Sequence, residues 1–196
     1  MTFNINDFKS RGLTGGGARP TLFQVELTPP FATQTGVTEK FTFTCRATQV
    51  PAAVVEPITV GYWGRQIKLL GDRTFPDWSV SVLNDEDYSV RNMFEQWSNL
   101  MNTFVSNLKQ LPGNSYKASD AVVTQYSKDG EVIKQYKFVG IFPVTVNPME
   151  LSWDTTNQIQ TFDVNFAYDY WVPYVAAGGT TIDTGEAGTS TIATAG

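Results

Sequence analysis

Apolar and polar residues alternate with a period of two along much of this chain, and in only one long stretch does the period lengthen to that of a helix. In residues 21–28, Phe23, Val25 and Leu27 stand against Gln24, Glu26 and Thr28. That pattern predicts a half-buried strand, closed by Pro29 and Pro30. Residues 40–48 alternate in the same way, with Phe41, Phe43, Cys45 and Ala47 on one side and Thr42, Thr44, Arg46 and Thr48 on the other, which predicts a second strand. Short strands are predicted at 58–62 and 65–70, around Gly61 and Gly64, whose presence suggests a bend or bulge. Gly71-Asp72-Arg73 then makes a turn, after which Trp78, Val80 and Val82 alternate with Ser79 and Ser81.

The helical stretch follows the acidic run Asn84-Asp85-Glu86-Asp87, which suits the positive end of a helix and predicts a cap there. Val90, Met93, Phe94, Trp97, Leu100, Met101, Phe104, Val105 and Leu108 recur every three or four residues, and Pro112-Gly113 ends the pattern. This predicts one long helix packed on a sheet. Strands return at Val122, Thr124 and Tyr126, which lead through Asp129-Gly130 to Val132, Lys134 and Tyr136, a hairpin signal. Residues 138–146 predict an edge or bulged strand because Pro143 interrupts them. The last and longest strand sets Phe162, Val164, Phe166, Tyr168 and Tyr170 on one face, with Thr161, Asp163, Asn165, Ala167 and Asp169 on the other. Residues 1–17 read as a glycine-rich N-terminal arm, 18–175 as one folded domain and 176–196 as a flexible Gly/Thr-rich tail. The fold class is therefore mainly β, an antiparallel sandwich or small barrel with one long helix on its flank.

Composition narrows the function. The 196 residues carry a net charge of −5 and only 17% charged residues, a poor basis for gripping nucleic acid, and a composition that suits a surface facing partners and a simply well-packed β domain equally. Histidine is absent and cysteine occurs once, so no histidine-based triad, internal disulfide or multi-cysteine zinc site can be built. Cys45 sits in an apolar row and reads as a structural thiol. The P-loop and dinucleotide-binding patterns do not occur, and no cofactor or metal is expected. A pair drawn from Asp72, Asp77, Asp154, Asp163 and Asp169 is the one catalytic arrangement left, and scattered turn and strand acids of this kind are ordinarily solvated. The N-terminus lacks the apolar core of a secretory signal, which predicts a cytosolic start.

Four segments carry a resemblance: ARPTLFQVEL (18–27), the stretch from Phe41 to GDRTFPDWSVSVLND ending at Asp85, Arg91 with Phe94 and Trp97, and LSWDTTNQIQTFDVNFAYDYW (151–171). Together they resemble the tail tube proteins of contractile-tailed bacteriophages. The resemblance implies a non-enzymatic subunit that forms hexameric rings, stacked into a hollow tube inside a contractile sheath. Strands of six subunits would join into one inner barrel, and viral DNA would pass through the lumen unbound. It implies sheath protein, baseplate tube proteins and a tape measure protein as partners, assembly in the host cytoplasm and residence in the virion. Within that frame Thr161, Asp163, Asn165 and Asp169 are candidate lumen-facing residues, as are Thr42, Thr44 and Arg46. Asp72, Arg73 and Asp77 are candidate intersubunit or turn contacts. A baseplate tube or tube-initiator protein and a type VI secretion-like ring protein are alternatives of the same class. A paired-carboxylate lytic enzyme is the alternative of another class.

Overall fold

In a computed structural model of the protein, residues 5, 8, 17–118 and 120–174 are described. The expected C-terminal tail lies outside them, as does the arm apart from residues 5, 8 and 17. The described residues form twelve strands: β1 (Phe23–Thr28), β2 (Cys45–Thr48), β3 (Val54–Val55), β4 (Ile58–Tyr62), β5 (Arg65–Leu69), β6 (Arg73–Thr74), β7 (Trp78–Leu83), β8 (Asp120–Tyr126), β9 (Val132–Val139), β10 (Phe142–Val146), β11 (Thr161–Ala167) and β12 (Tyr170–Tyr174). Two helices, α1 (Val37–Thr44) and α2 (Ser89–Met101), accompany them. Two four-stranded antiparallel sheets, in the orders β1-β8-β9-β12 and β10-β11-β7-β2, form the body. Small two-stranded pairs, β3 with β6 and β4 with β5, stand apart from it.

The period-two rows meet between the sheets. From the β1 sheet come Val25, Leu27, Ala121, Val123 and Phe138; from the β7 sheet come Trp78, Val80, Val82, Phe162, Val164 and Phe166, all buried. Trp78 ties the two layers together: its ring lies 4.5 Å from Phe138 on β9 and 5.5 Å from Phe166 on β11, and its indole N–H donates to the Gln49 carbonyl at 2.8 Å. Helix α2 closes one side of the sandwich. Val90, Met93, Phe94 and Trp97 are buried, with Phe94 edge-on to Phe41, Phe162 and Phe166. Each such side chain contributes about 1.5–3 kcal/mol by leaving water, so the core is concentrated where α2, β7 and β11 converge.

The structure corrects four expectations. Residues 37–44 form a helix and not the first half of a strand. Val37 and Phe41, four apart, both point into the core, while Phe43 is 86% exposed. The Phe-Thr-Phe-Thr run mimics strand alternation, but the Thr42 and Thr44 hydroxyls bond back to the Thr38 and Lys40 carbonyls of their own helix. Helix α2 ends at Met101, and Phe104, Val105 and Leu108 are exposed. Asn102 is extended, the Asn99 side chain accepts the Phe104 N–H, and the Thr103 hydroxyl accepts the Leu108 N–H, so side chains replace the next helical turn. The stretch 138–146 is two strands, because Gly140 at φ 69° turns the chain from one sheet into the other. The final long strand is also two. It breaks after Ala167, and Tyr170 belongs to β12, half-exposed on the opposite sheet.

Candidate assembly surfaces

Strands β4 and β5 make a hairpin by the same rule that builds the core. Ile58, Val60 and Tyr62 alternate with Thr59 and Gly61, and they pair with Leu69, Ile67 and Arg65 in register. Trp63 and Gly64, at φ 48° and 77°, supply the two left-handed residues of a tight two-residue turn. The ribbon is therefore amphipathic, with Ile58, Leu69, Val60, Ile67, Tyr62 and Arg65 on one face and Thr59, Lys68, Gly61 and Gln66 on the other. All the residues of both strands are exposed, and Trp63 at the tip is 92% exposed. Among the described residues no covering layer lies over the apolar face.

The hairpin is anchored to one end of the body. The short β3–β6 pair forms its stalk. At its root the Ala52 carbonyl accepts the indole N–H of Trp171 at 3.0 Å, while Gln49 holds Trp78. Asp72 and Arg73 lie in this stalk, Arg73 opposite Val55; Asp77 follows, exposed, just before Trp78. All three are thus placed at the junction of arm and body.

The opposite end of the β7 sheet carries a second apolar surface. Loop 147–160 joins β10 to β11 and leaves Leu151, Trp153 and Ile159 exposed, Trp153 completely so. Its two ends are held: Asn147 accepts Arg91 through its carbonyl at 3.1 Å, and Gln160 accepts the Asn84 N–H at 2.8 Å. Beside it the Asp85 and Asp87 carboxylates clasp Lys40 of α1 at 2.5 and 2.6 Å. The Lys40 hydrogen bond, with the Ser89 N–H behind it, holds the Asp87 carboxyl down at about 2; Asp85 is also lowered, and Lys40 is raised by the same contacts. The N-cap of α2 is Tyr88, with no side-chain cap bond, and not a residue of the acidic run; Asp87, just before it, accepts the Ser89 N–H at 3.0 Å and pins α1 through Lys40.

The outward face of the β7 sheet is made mostly of short polar side chains, with Leu83 and Ala47 among them. Thr161, Asp163 and Asn165 of β11 stand opposite Leu83, Ser81 and Ser79 of β7, with Thr145 of β10 beside Asn165 and Ala47 of β2 beside Ser81. Three of the four principal candidates for a lumen face therefore share one row. Asp169 leaves it: the strand has ended, and its carboxylate pairs with Lys117 at 2.5 Å in the turn to β12. Thr42 and Thr44 are helical, and Arg46 sits at an irregularity between Cys45 and Ala47. Burial pushes the Cys45 thiol up to about 12, so it stays protonated. Of the five acids considered for a pair, Asp163 falls on β11, Asp154 in loop 147–160, Asp169 in the turn to β12, Asp72 just before β6 and Asp77 just before β7. Among the described residues no three His, Cys, Asp or Glu side chains are grouped to hold a metal ion. Both strands of this ribbon stand where the alternation predicts them, at 58–62 and within 65–70; Gly64 belongs to the tight turn between them, and the exposure of the apolar face is what local alternation does not reveal.

The chain is similar to known proteins in sequence and in fold. Residues 18–174 match the family described as "Phage tail tube protein". The tail tube protein gp19 of Enterobacteria phage T4 is 40% identical over 168 residues, covering 85% of this chain and 98% of that protein. The tail tube protein of Serratia phage KSP90 is 24% identical over 84% of this chain and 93% of its own length. Among solved structures, a chain from the extended sheath–tube complex of an extracellular contractile injection system superposes with a TM-score of 0.56 at 10% identity, covering 89% of this chain and all of that one. A chain from the baseplate of the anti-feeding prophage superposes with a TM-score of 0.58 at 12% identity, over 80% of this chain and 95% of that one. At these identities the two structures show a common fold.

Proposed function

The chain belongs to the phage tail tube protein family, and from that premise we propose that it is the repeating subunit of the tail tube of a contractile phage. The observation that carries this reading is the match along nearly the full length of the T4 protein, 98% of it, at 40% identity. The subunit forms six-membered rings; rings stack into a hollow tube within the sheath, and the tube conducts viral DNA. It assembles in the host cytoplasm and ends in the virion, with sheath protein, baseplate tube proteins and tape measure protein as neighbours. The folded domain spans 18–175, with residues 1–17 and 176–196 as arms.

We place the outward face of the β7 sheet on the lumen. Ser79, Ser81, Thr145, Thr161, Asp163 and Asn165 offer short side chains without a positive charge, and Arg46 is the one cation in the strands of this sheet, so passing phosphates meet few charged groups that would hold them. Joining the sheets of six subunits edge to edge would also remove the open edges at β2 and β10. Negative-stain microscopy of the purified protein tests the reading. Tubes of stacked six-fold rings are expected; a protein that stays monomeric at all concentrations contradicts it.

A further inference from the structure

The two open edges of the β7 sheet are poor ladders. Strand β2 has four residues and an irregularity between Cys45 and Ala47. Strand β10 has five, among them Pro143 without an N–H, and an irregularity between Pro143 and Thr145. Hydrogen bonds between two such edges specify a register weakly. Three antiparallel steps lead from β10 to β2, so the two run in opposite directions. A six-fold axis keeps those directions in every copy, and the joint between copies is antiparallel as well.

Each edge carries a feature that the subunit itself does not use. Helix α1 runs directly into β2, and Phe43, two residues before the strand, stands out from the surface while Val37 and Phe41 of the same helix enter the core. Arg46 is exposed and borders the same shallow surface as Thr42 and Phe43. Among the described residues the ion pairs do not include it. Beside the other edge, a groove of about 280 Å³ runs between α2 and β10, bounded by Arg91, Glu95 and Ser98 of the helix, Phe104 beyond it, and Val144 and Val146 of the strand. Phe104 and Val144 are exposed there. Knob and groove agree in place. Helices α1 and α2 lie on one side of the β7 sheet, with Phe41 packed on Phe94, so an edge-to-edge joint brings both features to that side. Cys45 is level with Val82, and Val146 is level with Val80 through Val164. Those levels are two residues apart, about 7 Å. They agree in chemistry too: Arg46 supplies a cation beside the knob, and Glu95, bonded to Arg91 through Oε1, supplies a carboxylate beside the groove.

We infer that Phe43 sets the register of the joint within the ring: it seats in the α2–β10 groove of the neighbouring copy, against Phe104 and Val144, with Arg46 beside Glu95. The inference rests on the tube reading. The occupant of the groove is a second copy of this chain, and the contact closes on itself after six copies. A buried aromatic anchor of this kind carries a large share of a contact's energy and admits one seat, which two short, irregular edges do not.

The test uses full-length protein. Phe43→Ala should leave the subunit's melting unchanged, as for an exposed site, and raise the concentration at which rings form by about tenfold or more; Phe43→Leu should restore most of the loss. Ring formation at the wild-type concentration, or a lower melting temperature for Phe43→Ala, overturns the assignment. Cross-linking gives an independent reading in a Cys45→Ala background that melts and forms rings as the wild type does. Thr42→Cys and Ser98→Cys are made separately, mixed before assembly and treated with a short bis-maleimide. A cross-linked dimer is expected in the mixture and in neither variant alone, and a series of products that ends at six copies when both cysteines lie in one chain. Rings without the mixed dimer, a dimer from one variant alone, or a series that runs past six overturn the seat while leaving the tube reading intact. Wild-type protein that forms neither rings nor tubes sinks both.

Discussion

Strands β7 and β11 of the body and strands β4 and β5 of the arm are written in the same pattern, apolar and polar in strict alternation, and they end in opposite environments. In the body, Trp78, Val80, Val82, Phe162, Val164 and Phe166 are buried under the second sheet and α2. In the arm, Ile58, Val60, Tyr62, Ile67 and Leu69 form an equally continuous row that nothing in the described chain covers. Alternation specifies that a strand has an apolar face. It does not specify whether the cover comes from the same chain or from another copy. The difference sorts substitutions into those that unfold the subunit and those that leave it folded and unassembled.

The largest effect is expected in the body. Trp78→Ala removes the ring that bridges the two sheets and should cost about 3–5 kcal/mol, read as a lower denaturant midpoint, with assembly lost as a consequence. If the variant melts like wild type but fails to assemble, Trp78 acts at an interface and the division between the two regions is drawn in the wrong place. The junction comes next. A Cβ on Gly71 would stand 1.9 Å from the Glu56 carbonyl oxygen, so Gly71→Ala must push the two legs of the arm apart. Its expected signature is lost stacking with the body's melting little changed. Val60→Asp, in the arm itself, should leave the subunit's melting within about 0.5 kcal/mol of wild type, as for an exposed site, while tubes disappear from micrographs.

Smaller effects sharpen the picture further. Asp163→Lys places a cation on the proposed lumen face. Tubes should form as before, and DNA ejection should slow; an unchanged ejection rate would remove the β7 sheet from the lumen. The Lys40 clasp should act only weakly, since it lies on the surface. Because Asp85 and Asp87 are lowered, its contribution is present above the ordinary aspartate value of 3.8 and fades as pH falls toward about 2. Lys40 is raised, so the same contribution is whole below 10.5 and fades as pH climbs past it. Lys40→Met should therefore narrow its stability gap to wild type at acid pH and keep it near neutrality, measured by denaturant unfolding between pH 2 and pH 7.

Much of the body was legible before any coordinates. The rows of β1, β7, β9 and β11, the hairpin turn at Asp129-Gly130 and the first three turns of α2 all follow from local period and local turn chemistry, whereas on β8 the row Val122, Thr124 and Tyr126 lies on the face opposite to Ala121 and Val123, which enter the core beside Val25, Leu27 and Phe138. What escaped depends on contacts distant in sequence. Helix α1 hid inside a strand-like Phe-Thr repeat, and only the burial of Phe41 against Phe94 decides for the helix. The end of α2 hid because Phe104, Val105 and Leu108 continue the apolar period after side chains of Asn99 and Thr103 have taken over the backbone. Asp169 shares the parity of Asp163 but lies beyond the strand's end, held by Lys117. The candidate site was legible as residues and not as surfaces. Asp72, Arg73 and Asp77 were read as contacts, whereas the broad feature is the ribbon that rises beside them.

Hydrogen exchange, followed residue by residue in the dissociated subunit and in assembled tubes, tests the central claim most directly. Amides of β7 and β11 should be slow in both states, since their cover is built into the chain. Amides of β4 and β5 should exchange quickly in the subunit and become slow in the tube. Fast exchange of β4 and β5 in intact tubes would contradict the account, for the apolar face of the arm would then have found no cover at all.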